Sequence, residues 1–275
     1  MRTHFRFQNC SAIVTGASSG LGAEFARQLA PRAKILVLAA RRKEALEEVR
    51  RELLAINPSA KVIVCACDIS TDEGRARLVG EITAMDVKPN LLINNAGAGD
   101  YGTFASGDAA RARGQIDLNI TALVLLTHAL LPLMPRSADA PAGIINVSSL
   151  AGTVPMPGLA VYAATKAFVT SFSEALRVEL AGENIVVSAV CPGPTPTNFG
   201  KNAKRADGTD TNRSGQGLVR MTPQSVVRCA LHALGRGRAC VHPGLGVTIA
   251  ALAFRLMPRF LMRHVMAKRF QDSRA

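Results

Sequence analysis

Tyr162 and Lys166 stand four residues apart in the small-residue run Tyr162-Ala163-Ala164-Thr165-Lys166. On a helix such a pair shares one face. An ammonium beside a phenol favours the phenolate, whereas loss of water disfavours it. A cation is therefore the means of bringing that proton within reach of neutral pH. Taken alone, the pair also fits a half-buried aromatic next to a snorkelling surface lysine. What precedes it decides the reading. Ser148-Ser149 closes an apolar run thirteen residues upstream, and Asn119 lies in an apolar stretch, where an amide must find hydrogen-bond partners.

The elements that must position these groups alternate between short apolar runs and helical periodicity. Ser11 to Thr15 reads as a strand, Gly16-Ala17-Ser18-Ser19-Gly20-Leu21-Gly22 as a turn, and Ala23 to Leu29 as a helix. Glycines there let the chain turn tightly and let a pyrophosphate approach the helix N-terminus, whose N–H groups and dipole favour negative charge. The spacing is T-G-x-x-x-G-x-G. A second strand, Lys34 to Ala40, ends at Ala40-Arg41-Arg42, where dinucleotide folds place an acidic residue for a ribose hydroxyl or a basic one for a 2'-phosphate. The arginines point to NADP(H) over NAD(H), with Arg41 the expected phosphate ligand and Arg42 beside it. The alternative is that both are solvated residues opening the helix Lys43 to Ile56.

Further strands are expected at Lys61 to Cys67, ending in Asp68-Ile69, at Leu91 to Ile93 before Asn94-Asn95-Ala96-Gly97, at Gly143 to Val147 and at Ile185 to Val190, with a last one at Ala239 to His242. Helices are expected from Thr71 to Met85, in one piece from Ala109 to Met134, through Tyr162 to Leu180, and from Pro223 to Leu234. Cys191-Pro192-Gly193-Pro194-Thr195-Pro196-Thr197 makes a rigid turn. The polar segment after it, about 198–222, reads as a lid.

Composition sets the bounds. A chain of 275 residues, 48% apolar with 4% aromatics and no tryptophan, suits one α/β domain with helices over both faces of a sheet, here 1–244. The net charge of +13 invites anionic partners, but no nucleic-acid motif is present and few aromatics could stack a base, so an anionic cofactor and a membrane surface are the better explanations. No signal peptide is read at the start, and no run is read as reaching the roughly 18 apolar residues that span a bilayer. Six cysteines in apolar contexts are read as reduced thiols of a cytoplasmic protein. Cys65 and Cys67 are taken as opposite-facing strand residues. Cys229, His232, Cys240 and His242 could be drawn as a zinc set, but ordinary thiols and histidines are preferred and no metal is expected. In the tail 245–275, Arg255, Arg259 and Arg263 beside Leu256, Phe260, Leu261 and Met266 fit a helix on a membrane surface or one packed on protein, with Pro258 as its kink or the start of its second half.

In order and spacing, Thr15-Gly16 to Gly22, Asp68, Asn94 to Gly97, Asn119, Ser149, Tyr162 with Lys166, and Pro192-Gly193 with Thr197 resemble the short-chain dehydrogenase/reductase family. The resemblance runs from about Ser11 to Thr197. It implies a Rossmann-type, doubly wound parallel sheet of about seven strands in the order 3-2-1-4-5-6-7. It also implies hydride transfer between NADP(H) and a small apolar carbonyl or alcohol. Tyr162 would be the acid or base, and Lys166 would lower its pKa and hold the nicotinamide ribose. Ser149 would bond the reacting oxygen, and Asn119 would support Lys166 through a water. Gly16, Ser18, Ser19, Gly20, Leu21 and Gly22 would surround the phosphates, Asp68 and Ile69 the adenine, Asn95 the ribose and Thr197 the carboxamide. Ala96, Gly97, Pro192, Gly193 and Thr195 complete the expected cofactor contacts. A homodimer or homotetramer through the Asn119 and Tyr162 helices is implied as well. The rival readings are a non-catalytic cofactor-sensing or membrane-docked scaffold, and an isomerase or dehydratase of the same family.

Overall fold

The computed structural model describes residues 4–203 and 220–272. Strands β1 (Cys10–Thr15), β2 (Ala33–Ala40), β3 (Lys61–Ala66), β4 (Leu91–Asn94), β5 (Ala142–Val147), β6 (Ile185–Val190) and β7 (Cys240–Val241) form one sheet in the order β3-β2-β1-β4-β5-β6-β7. Every recorded pairing is parallel. The order reverses direction between β1 and β4, the crevice where doubly wound sheets bind ligands.

The strands are apolar throughout because both of their faces are covered. Alternation splits each one between two cores. Leu36 and Leu38 of β2 join Val14 of β1 and Ile145 of β5 under α1 (Gly20–Leu29), α2 (Lys43–Ile56) and α8 (Pro223–Gly235). Val37 of β2, Ile13 of β1 and Ile144 of β5 face α3 (Asp72–Ala84), α5 (Ala122–Leu130) and α6 (Ala160–Glu179). Local chemistry fixes the helix starts: the Thr71 side chain accepts from Gly74 N at the head of α3, and Thr222 caps α8 with Pro223 in its first turn.

Three expectations change. The stretch read as one helix from Ala109 to Met134 is α4 (Ala109–Ile116), a π-helical turn at Asp117–Thr121, α5, and a tight 3-10 turn at Leu131–Leu133. One extra residue in the π turn swings Asn119 inward. The region Ala109–Leu133 is also long and apolar enough, by length and composition, to cross a membrane, with mean hydropathy 1.7 over its best window. In this fold its Ala122, Leu126 and Leu130 pack on the sheet. Finally, Cys65 and Cys67 share one face, with Sγ atoms 3.7 Å apart, because residues two apart on a strand point the same way.

The tail folds back. It forms α9 (Leu245–Leu256) and α10 (Arg259–Asp272), with Pro258 opening the second helix rather than bending one continuous helix. Met262 and Met266 of α10 are buried against Val154, with Met156, Phe254 and Met257 around them. Of the expected lid, the short helix α7 (Asn198–Ala203) is described, and 204–219 lies outside the described residues.

Candidate active site

The predicted groups converge where β1, β4, β5 and β6 end. Ser149 follows β5 and caps a 3-10 turn, Leu150–Thr153, its Oγ accepting from Ala151 N at 3.1 Å. Tyr162 and Lys166 occupy one face at the start of α6. Lys166 is 4% exposed, and its Nζ donates to the carbonyl of Val147 at 2.9 Å, which ties α6 to the end of β5. Nζ lies 5.8 Å from the Tyr162 ring centre.

Burial acts on the two groups in opposite senses. It pushes the Tyr162 phenol up to about 12, against a hydrogen bond with Ser149 that lowers it. It holds Lys166 down at about 8, with the nearby Cys191 raising it slightly. Both shifts favour the neutral form. The group that lowers Tyr162 in this arrangement is Ser149, not Lys166 as the sequence suggests.

Asn119 is 1% exposed and fully partnered. Its Oδ1 accepts from Ala98 N at 2.8 Å, and its Nδ2 donates to Ala98 O at 2.9 Å and to Thr165 Oγ1 at 3.0 Å. Thr165 in turn donates to the carbonyl of Tyr162 at 2.8 Å. The π turn therefore holds the loop after β4 and the Tyr162 and Lys166 face of α6 together. Gly97 lies between these groups: a Cβ there would come within 3.2 Å of Asn119 Oδ1 and 3.3 Å of Lys166 Nζ.

The glycine turn packs too closely for side chains. Gly16 has φ +65°, and a Cβ on Gly22 would meet the carbonyl oxygen of Gly16 at 2.2 Å. Asn95 locks this turn to β4: its Nδ2 donates to Thr15 O at 2.8 Å, while the N–H groups of Asn95 and Ala96 both donate to Thr15 Oγ1 at 3.0 Å. Ser19 precedes α1 without making a capping bond, and the first turn of α1 has no acidic residue, so its N–H groups face the turn that would receive phosphate. Leu21 is half-buried in α1, and Thr197 Cβ stands 3.2 Å from where a Gly20 Cβ would be.

At the end of β2 the two arginines part. Arg42 donates to Ser18 Oγ at 3.3 Å and Ser19 Oγ at 3.5 Å, whereas Arg41 reaches toward Asp68 at 3.8 Å. Asp68 accepts from Ser70 N and Oγ, and Ile69 is buried, its carbonyl accepting from Arg75. Past β6, Pro192 O accepts from Leu150 N, Gly193 O from Thr195 Oγ1, and Thr197 Oγ1 from Phe199 N.

Two neighbours of the tyrosine escape motif reading. Phe199 of α7 sits 5.3 Å from the Tyr162 ring and against Gly99, where a Cβ would be 2.8 Å from Phe199 Cζ. Tyr101 is buried, its N–H donating to Ala203 O at 2.9 Å. Phe199 is legible in the sequence as an apolar lid residue, but its tilted contact with the Tyr162 ring is not. Nor is the packing of α10 on Val154.

Comparison with known proteins agrees with this geometry. The pattern of the family described as short chain dehydrogenase matches residues 11–208. Over 188 residues the chain is 36% identical to sulfoacetaldehyde reductase 2 of Chromohalobacter salexigens, covering 68% of this chain and 73% of that one. It is 32% identical to dehydrogenase/reductase SDR family member 7B of Bos taurus, over 94% of this chain and 82% of the relative. A short-chain dehydrogenase from Sphingobium yanoikuyae in complex with NADPH superposes with a TM-score of 0.77 at 31% identity, over 94% and 95% of the two chains. A short-chain dehydrogenase/reductase from Burkholderia phymatum in complex with NAD gives 0.78 at 25% identity, over 90% and 93%.

Proposed function

The chain belongs to the short-chain dehydrogenase family, and on that footing we propose that it is an NADP(H)-dependent oxidoreductase interconverting a carbonyl and an alcohol on an apolar small molecule. The observation that carries this reading is the convergence of Tyr162, whose phenol the Ser149 hydroxyl draws down, with the buried Lys166 beside Gly97, in the loop that Asn95 ties to the end of β1.

The residues present fit a dinucleotide. Gly16 and Gly22 leave a cradle that a Cβ would fill, the first turn of α1 has free N–H groups, and Arg42 reaches the serines of the turn. Gly16, Ser18, Ser19, Gly20, Leu21 and Gly22 would hold the phosphates, Asp68 and Ile69 the adenine, Lys166 the ribose, and Thr197 the carboxamide. When bound, the nicotinamide supplies or accepts the hydride. The preference for NADP(H) rests on Arg41 and Arg42 following Ala40, since similar structures carry NADPH in one case and NAD in another.

Tyr162, with its proton held tightly by burial, donates it to the carbonyl oxygen in the reductive direction, and Ser149 orients that oxygen. Lys166, bonded to Val147 O and set beside Gly97, would hold the nicotinamide ribose against the Tyr162 face. Val154, Met156 and Phe199 make the substrate side apolar, and Met262 and Met266 close it from the tail. The test is a panel of ketones, aldehydes and acyl thioesters followed by NADPH absorbance. Tyr162→Phe should lose about 100-fold or more in turnover on any active substrate. Wild-type turnover by that variant at saturating cofactor would overturn the assignment.

Two surfaces fit the expected partners. Ile116 on α4, Leu125 on α5 and Phe168 on α6 are exposed apolar residues on the helices expected to form a homodimer or homotetramer. Leu245, Ile249, Leu252 and Leu256 line the outer face of α9, followed by Phe260 on α10, all more than half exposed. With Arg255, Arg259 and Arg263 exposed beside them, this stripe supports peripheral contact with an anionic membrane surface.

A further inference from the structure

Three ligand-bearing side chains that the oxidoreductase chemistry does not use meet at the edge of the sheet. Cys191 follows β6, and Cys240 and His242 lie in and just past β7. Their ligand atoms all lie within 4.8 Å of one another. The set differs from the one the sequence offers for zinc: Cys229 and His232 remain on α8, and Cys191 takes their place.

The spacing admits one tetrahedral cation. The Sγ atoms of Cys191 and Cys240 are 3.7 Å apart. Two sulfurs bound to one tetrahedral cation at 2.3 Å each are held about 3.8 Å apart. A disulfide, by contrast, needs the sulfurs at about 2.05 Å. The corresponding sulfur-to-nitrogen edge is about 3.6 Å, so an imidazole movement of at most about an ångström closes the set. An independent sign is that His242 Nε2 is buried and has no hydrogen-bond partner among the described residues. Such an atom is costly to leave unpaired.

Soft thiolates with an imidazole select thiophilic cations over Mg2+ or Ca2+.

We infer that Cys191, Cys240 and His242 form a three-ligand site for Zn2+, with a fourth position left for water. Its consequence is structural. β7 is only Cys240–Val241, paired to β6 through Ala189↔Cys240 and Val190↔Val241. A cation bridging Cys191 to both ends of this strand fastens a two-residue edge to the turn that begins at Pro192. This binding is independent of the oxidoreductase reading and is measurable without turnover.

The test uses the full chain, reduced and metal-free, titrated anaerobically with Co2+ as a spectroscopic stand-in. Thiolate-to-cobalt charge-transfer absorption should grow to saturation at an equimolar ratio and collapse when Zn2+ is added. Cys240→Ser should lose that absorption, His242→Ala should weaken Co2+ affinity at least tenfold, and Cys229→Ser should bind like wild type. Zn2+ should also raise Tm in wild type and not in Cys240→Ser. If Cys240→Ser does not fold, His242→Ala carries the comparison. Absence of charge-transfer absorption, its persistence unchanged in Cys240→Ser or His242→Ala, or its loss in Cys229→Ser would overturn the site.

Discussion

The side-chain amide of Asn119 donates to Thr165 Oγ1 at 3.0 Å, and Thr165 donates on to the carbonyl of Tyr162. A π turn in one helix thereby sets the face of another, between the tyrosine and Lys166. With the two bonds to Ala98, Asn119 satisfies a loop that has no secondary-structure ladder of its own. Replacing it with leucine leaves the Ala98 N–H and C=O unpaired. We expect Asn119→Leu to lose about 2–4 kcal/mol in urea unfolding. An unchanged midpoint would show that the amide is not holding the loop.

Lys166 makes stability depend on pH. Its folded value, about 8, lies below the ordinary 10.5. Between those values the unfolded chain binds a proton that the folded chain has released, so stability rises with pH across that window. Tyr162, held near 12 against an ordinary 10.0, acts in reverse above pH 10. Between pH 8 and 10 Lys166 should therefore contribute a rise in stability of roughly 3 kcal/mol at most, opposed above pH 9 by the Cys10 thiol, which burial pushes up to about 11. Lys166→Met should flatten it. A slope that survives in the variant would assign the effect to other groups, the Cys191 thiol beside Lys166 among them.

Cofactor choice separates the two arginines. Arg42 contacts both serines of the glycine turn, whereas Arg41 is 76% exposed and faces Asp68. Removing a charged hydrogen bond to phosphate costs about 1.5–3 kcal/mol. Arg42→Ala should lower kcat/KM for NADPH by about 10- to 100-fold and leave NADH nearly unchanged, with Arg41→Ala the milder of the two. The opposite ranking would return the phosphate to Arg41. Equal effects on both cofactors would remove the NADP preference altogether.

Deleting the tail is a poor test of membrane contact, because Met262 and Met266 pack on Val154 and truncation would uncover that residue and its neighbours. Substitution on the outward face avoids this. The full chain should co-sediment with phosphatidylserine-containing vesicles and dissociate as salt is raised. Ile249→Glu combined with Phe260→Glu should reduce binding without lowering Tm. Equal sedimentation by the variant would place the stripe against protein.

The helix-to-strand alternation, the glycine turn and the Ser149, Tyr162 and Lys166 spacing were legible in the sequence because each is a local periodicity or a fixed offset along the chain. Strand apolarity alone foretold two covered faces, and Pro258 the break between α9 and α10. Distance relations carried no such mark. That Arg42 turns to Ser18 while Arg41 turns to Asp68, and that Ser149 rather than Lys166 draws down the phenol, depends on rotamers and burial set by packing. That Cys191 meets Cys240 and His242 depends on β6 and β7 lying side by side, which brings residues about fifty positions apart within reach of one cation. Sequence fixes which groups a chain owns and the period on which it presents them; only the closed sheet decides which of them touch.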